Sequence, residues 1–235
     1  MRTIFILIIV FLISCTNSTR TNNKSEESTD NIIDSLKSDF YSNYLPRFKN
    51  IDSINLLTFK THYPCNECRQ NENRIDTLLV KKFNPNINHD KINHLYFAYK
   101  SILNNHYVLI NAIWSDTTDY ILNFYSKEGK FLSSFPFLGL IFDGPYICKN
   151  TFQSSIKSIH NNLLIIERDE RIITDDSLTT KSINSLDGKQ IKTEFSISLD
   201  DGIQTLLNSD TIKCKLMFAR DSGSFETIEI MGKPK

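Results

Sequence analysis

The sequence predicts a mainly β fold, an antiparallel meander, from three observations. The 235-residue chain holds 31 Ile and 16 Phe but only 3 Ala, a composition that favours extended over helical backbone. Several stretches alternate apolar and polar side chains with the period of two that half-buried strands require. A strand-turn-strand pattern also recurs after about 58 residues. At this length one core buries roughly 70% of the unfolded surface, so neither disulfides nor metal are needed for stability. The 27 basic and 27 acidic residues cancel, and no broad attraction for nucleic acid or anionic lipid is expected.

The elements follow in chain order. Arg2 supplies one positive charge, residues 4–13 are an unbroken apolar run, and Leu12-Ile13-Ser14-Cys15 closes it. About ten residues rise only ~15 Å as a helix, half of a ~30 Å hydrocarbon core, so the run reads as a secretory signal over residues 1–14. The tetrapeptide resembles the lipobox of bacterial lipoproteins, with Leu12 at the apolar position, small Ser14 before the cut and Cys15 as acceptor thiol. The resemblance implies cleavage before Cys15, diacylglycerol on its sulfur and an acyl chain such as palmitate on the new amino group. Several acyl chains exceed the two-signal threshold for stable anchoring, which makes the membrane a partner through the lipid. Thr16 and Asn17 lack the acidic residue that resembles an inner-membrane retention signal, which points to the outer membrane of a bacterial envelope.

Residues 16–31 carry no apolar side chain and cannot offset their ordering entropy, so residues 15–31 are expected to be a lipidated cysteine on a disordered tether. As a coil the tether spans roughly 20–24 Å. A single β-rich domain then occupies residues 32–235. Its first segment places Ile32, Leu36, Phe40 and Tyr44 four apart, the pattern of one short amphipathic helix ended by Pro46. After Ile51 the pattern turns to strands. Tyr107 to Trp114 and Leu163 to Ile166 are apolar on both faces, as central strands should be. Ile191, Thr193, Phe195, Ile197 and Leu199 alternate with polar residues, and Ile212, Cys214, Leu216 and Phe218 do the same. Arg220 to Gly223 reads as a turn into a last strand over Phe225 to Ile230.

The repeat sharpens the architecture. Lys100-Ser101-Ile102-Leu103-Asn104-Asn105 recurs as Lys157-Ser158-Ile159-His160-Asn161-Asn162, and Ser126 to Leu132 recurs as Ser185 to Ile191. A fainter copy starts at Asp52-Ser53-Ile54-Asn55-Leu56-Leu57. Each unit reads as strand, Asn-Asn turn, strand, loop, strand, Gly turn, strand, with Gly129 and Gly188 expected to supply positive φ. Four strands closing on an acidic-Gly-Lys hairpin resemble a β-propeller blade over residues 95–198. Three to four such units reach only the lower limit of a propeller ring, so an open or sandwiched set of twisted sheets competes with a propeller-like one.

Chemistry concentrates at Thr61-His62-Tyr63-Pro64-Cys65-Asn66-Glu67-Cys68-Arg69. Cys65 and Cys68 fit a redox dithiol, a zinc site with His62 and either His89 or His94, a disulfide across a loop, or two free thiols. Arg69 rules out the haem-attachment motif, which needs His there. Cys148 and Cys214 read as buried small hydrophobes or as one disulfide. The sequence lacks a nucleophile elbow, a zincin motif and a phosphate loop. The acidic runs 167–171, Asp175-Asp176 and Asp200-Asp201 read as solvated, self-neutralising turns. His106 and His160 border the Asn-Asn turns, and Trp114 and Phe135-Pro136-Phe137 read as core filling.

These features favour a membrane-anchored envelope lipoprotein acting as a non-enzymatic binding or assembly module for a protein or carbohydrate ligand, with no cofactor. Two alternatives stand beside it. One is a thiol-dependent protein using Cys65 and Cys68 for redox or zinc chemistry, and the other is an inhibitor or immunity-type lipoprotein.

Overall fold

The computed structural model describes residues 33–52, 56–57, 71–85, 87, 92–115, 120–142, 148–174, 186–219 and 224–231. The chain divides into a unit of Met1–Ser35, whose described residues 33–35 are helical, and a unit of Leu36–Lys235. The second unit holds one ten-stranded sheet in the order of the sequence. Its strands are β1 (Lys49–Asn50), β2 (Ile92–Leu103), β3 (His106–Ser115), β4 (Tyr120–Tyr125), β5 (Phe131–Phe142), β6 (Cys148–His160), β7 (Leu163–Ile173), β8 (Leu186–Ser198), β9 (Gln204–Ala219) and β10 (Ser224–Ile230). Neighbours pair antiparallel except β1 with β2. The fold is therefore a mainly β, open meander. Both copies of the repeat join this one sheet instead of forming the separate blades of a propeller.

The Asn-Asn turns show why the first half of each repeat folds as it does. Asn104 and Asn105 have φ of 46° and 67°, and Asn161 and Asn162 have 47° and 61°. Two successive positive φ values make the two-residue hairpin whose twist matches its strands, and Asn tolerates them best after Gly. Leu103 accordingly pairs with His106, and His160 with Leu163.

The second half of the repeat departs from expectation. Gly129, at φ 80°, does lie in the β4–β5 turn, but Gly188 lies inside β8, where it faces Ile173 on one side and Cys214 on the other. Strand β8 is laddered on both edges from Gly188 to Ile197, which leaves no room for a turn. The β8–β9 turn instead uses Gly202, at φ 76°. The fainter third copy is not a hairpin either, because Leu56 and Leu57 are helical and the Leu56 N–H bonds the Asp52 carbonyl at 2.9 Å.

The expected N-terminal helix is present, and Pro46 shapes its end. A π-helical turn over Phe40–Tyr44, with the Leu45 N–H reaching the Phe40 carbonyl, leads into a 3-10 turn over Leu45–Arg47. Proline has no N–H and its ring excludes the regular bond, so the helix changes its winding there and stops. A second short helix, Thr77–Phe83, occupies a region where strands were expected. Asp76 caps it by accepting the Leu78 N–H at 2.8 Å, and Lys81 and Lys82 complement its C-terminal dipole. Both helical pieces cover one face of β2–β4, burying Phe40, Tyr44, Val80 and Phe83 against Leu95, Phe97, Leu109, Ile121 and Tyr125.

That layer is latched by phenols. Asn84 Nδ2 donates to the Tyr44 hydroxyl at 2.8 Å, and the Tyr125 hydroxyl donates to the Phe83 carbonyl at 2.6 Å. Burial pushes Tyr44 up to about 12 and Tyr125 well above its usual range. A raised folded-state value contributes stability that is whole below the unfolded value near 10 and is lost as pH rises toward the folded one. Unfolding midpoints should therefore hold to pH ~10 and fall between ~10 and ~12, with tyrosinate absorbance appearing as the chain unfolds. A flat profile across that window, or a fall equally steep in Tyr44→Phe, would contradict the latch.

The opposite face of β2–β4 packs against β5–β8. Strand β5 pairs with β4 through Phe131–Leu138 but with β6 only through Leu138–Phe142, so the sheet folds over near Leu138. Val108, Ile110, Leu122, Phe124, Phe135, Ile156, Leu164, Ile166 and Ile197 fill the fold. Gln204 ties the two halves by donating to the Ser134 carbonyl at 2.8 Å.

A third cluster, Ile173, Cys214, Leu216 and Phe225, lies at the far end of β7 under β10. Leu164 and Ile166 share one face of β7, while Ile173, an odd number of residues away, points to the other. The buried face thus changes over along β7, and residues 167–171 sit at the changeover, half-buried on both faces.

Candidate functional site

The run Glu167-Arg168-Asp169-Glu170-Arg171 was expected in a solvated turn, and the structure places it in the middle of β7. Apolar Leu163 to Ile166 and Ile172-Ile173 hold the strand at its ends. The charges then project alternately onto two faces, where β6 and β8 supply partners that are distant in sequence.

On the face that bears Ile173, Arg171 Nη2 meets Asp169 Oδ2 at 2.7 Å, and Gln190 Nε2 lies 2.9 Å from both Asp169 carboxylate oxygens. Thr227 on β10 donates to Gln190 Oε1 at 3.1 Å. The Arg171 guanidinium also donates to the Phe225 carbonyl, and Thr151 Oγ1 accepts the Phe225 N–H at 3.2 Å, which draws β10 over this end of the sheet. Beyond the cover, the same face opens into a groove of about 220 Å³ lined by Glu167, Lys192, Thr193, Glu194, Asn208 and Asp210. Lys157, at a bulge in β6, reaches across β7 to Glu194 at 3.1 Å.

On the other face Arg168 lays its guanidinium 3.9 Å from the centroid of the Phe152 ring. Burial pulls this guanidinium below its usual range, while the charge of Glu170 acts in the opposite direction. Glu170 itself accepts from Asn150 Nδ2. Ser154 of β6 and Thr193 of β8 stand directly opposite Arg168 in register.

The thiol and metal candidates fall elsewhere. Cys15, His62, Cys65, Cys68 and His89 lie outside the described residues. His94 pairs with Trp114 in the β2–β3 ladder, and Cys148 opens β6 opposite Phe142. Cys214 is a free, buried thiol beside Gln190, Asp169 and Arg171, and burial pushes it up, away from the reactive thiolate. Among the described residues no group of three His, Cys, Asp or Glu is placed to hold a metal ion.

The remaining polar candidates belong to turns. His106 Nδ1 lies 2.9 Å from the Asn104 carbonyl, inside its hairpin. Asp201 accepts the Ile203 N–H at 3.0 Å in the β8–β9 turn, and hydrogen bonds from Ser198 and that backbone hold its carboxyl below the usual range. Phe135 and Phe137 are core, as their segment predicts.

Sequence reasoning missed the β7 band, although a signal was present. Five charged residues bracketed by Leu-Leu-Ile-Ile and Ile-Ile can be spanned by one strand, and charges inside a strand must find lateral partners or a ligand. The band offers paired donors and acceptors beside an open groove, which equips it for charge-assisted hydrogen bonding. No protein-family model, curated protein or solved structure matches this chain.

Proposed function

We propose that the chain is a bacterial envelope lipoprotein, fixed to its membrane through Cys15 and tethered by residues 16–31, whose sheet is a non-enzymatic binding module for a polar protein or carbohydrate ligand. The observation that supports this reading is the charged band of β7 opening into the groove beside Lys192 and Asp210. Half-buried charges cost desolvation that apolar side chains of similar volume would avoid, so they are a poor way to stabilise a sheet. They are well suited to recognition, where a ligand replaces the lost water with directed bonds. The anchor rests on the lipobox-like residues 12–15.

The test uses the full chain in its native membrane. A photo-crosslinking residue at Asn208, in the groove, should give one discrete adduct that Lys192→Glu abolishes, while the same probe at exposed Glu226 gives none. Equal labelling at the two positions, or no adduct at 208, would overturn the binding-module reading. Cys15→Ser should move the protein from the membrane fraction to the soluble one, and continued membrane retention would overturn the anchor.

A further inference from the structure

We infer that Arg168 and Ser154 form a site for an oxyanion, the carboxylate or phosphate group of a ligand, on the face of β7 opposite the groove. The two residues are direct cross-strand neighbours, so their side chains leave the sheet on the same face and side by side. Ser154 is 3% exposed, and its hydroxyl has no hydrogen-bond partner among the described residues. Arg168 Nε is equally enclosed and equally without a partner, whereas the side chain as a whole is half-buried and within reach of solvent. Two adjacent donors, one charged, are thus withdrawn from water with no partner among the described residues, the condition that native structures avoid unless something else fills it.

The surroundings define what fits. The guanidinium carbon lies 3.9 Å from the Phe152 ring centroid, so the ring covers one side of the group, and a guanidinium carries the fork of N–H donors that matches two oxygens of a carboxylate or phosphate. Three carboxylates lie within two residues of Arg168: Glu167 and Asp169 project from the other face, Asp169 to Arg171 and Gln190, and Glu170 accepts from Asn150. The site therefore holds one positive charge that Glu170 on the same face offsets without closing a direct ion pair among the described residues, together with the neutral Ser154 hydroxyl beside it.

The inference goes beyond the groove reading and does not depend on it, since the two lie on opposite faces. Its test titrates the full-length Cys15→Ser protein with inorganic phosphate and, separately, with acetate, following the Arg168 Nε–Hε resonance by NMR. Saturable movement of that resonance with either anion is expected, and the stronger of the two responses identifies the ligand group. Arg168→Lys keeps the charge but loses the fork, and should weaken the thermal stabilisation by that anion by about tenfold. Ser154→Ala should leave the melting temperature in anion-free buffer unchanged or higher, because it removes an unbonded buried hydroxyl. An unsaturable response to both anions, an undiminished response in Arg168→Lys, or a lower melting temperature in Ser154→Ala would each overturn the site. Loss of crosslinking at Asn208 with the anion response intact would count against the groove alone.

Discussion

Replacing Tyr125 with Ala is expected to lower the unfolding free energy by about 3–5 kcal/mol, the range for truncating a fully buried aromatic. Tyr125 ends β4 with no exposed surface and sits 5.1 Å from Phe40 and 5.6 Å from Phe131, centroid to centroid. Its hydroxyl is also the bond from the sheet to the C-terminus of the short helix, through the Phe83 carbonyl. Truncation therefore opens a cavity under the helical layer and strands a buried carbonyl at once. Tyr125→Phe separates the two effects, since it keeps the ring and should cost only about 1–2 kcal/mol. Urea unfolding of both variants checks this, and a loss below about 1 kcal/mol in the alanine variant would show that the layer is not held by this residue.

Gly188→Ala should destabilise by about 1–3 kcal/mol, although alanine in a strand interior ordinarily improves on glycine by about 0.5–1 kcal/mol. A Cβ at position 188 would stand 2.4 Å from Leu216 Cδ1 and 2.7 Å from the Ile172 carbonyl oxygen. The leucine is buried in the cluster under β10, and the carbonyl belongs to the β7 backbone, so neither has room to yield. The sign decides the matter: a higher melting temperature would mean that β7, β8 and β9 do not approach so closely.

Much of the sheet was legible because strands announce themselves locally. The alternation from Ile191 to Leu199 and from Ile212 to Phe218 marks β8 and β9, and the Asn-Asn pairs mark both two-residue hairpins. What escaped depends on neighbours remote in sequence. Gly188 looks like a turn glycine next to Asp187, and only the two flanking ladders show that it is needed for close approach. Residues 167–171 look like a solvated turn until Gln190, Phe152 and Phe225 arrive from other strands. The helix Thr77–Phe83 carried its signal in Asp76 and in Lys81-Lys82, but its Leu-Leu-Val run is too short for periodicity to separate helix from strand. The changeover of the buried face along β7 had no local signature, since it is created by β10 folding back.

The neighbour-by-neighbour order of the strands also sets a timetable for the growing chain. The cluster beneath the helical layer needs no residue beyond Phe131, the central one is complete at Leu199, and the one under β10 waits for Phe225. Each hairpin closes a short loop, so its entropic cost falls due just before its contacts form. The molecule can thus be assembled in three instalments from its beginning, and a chain released from the ribosome as far as the start of β5 would already hold the first of them.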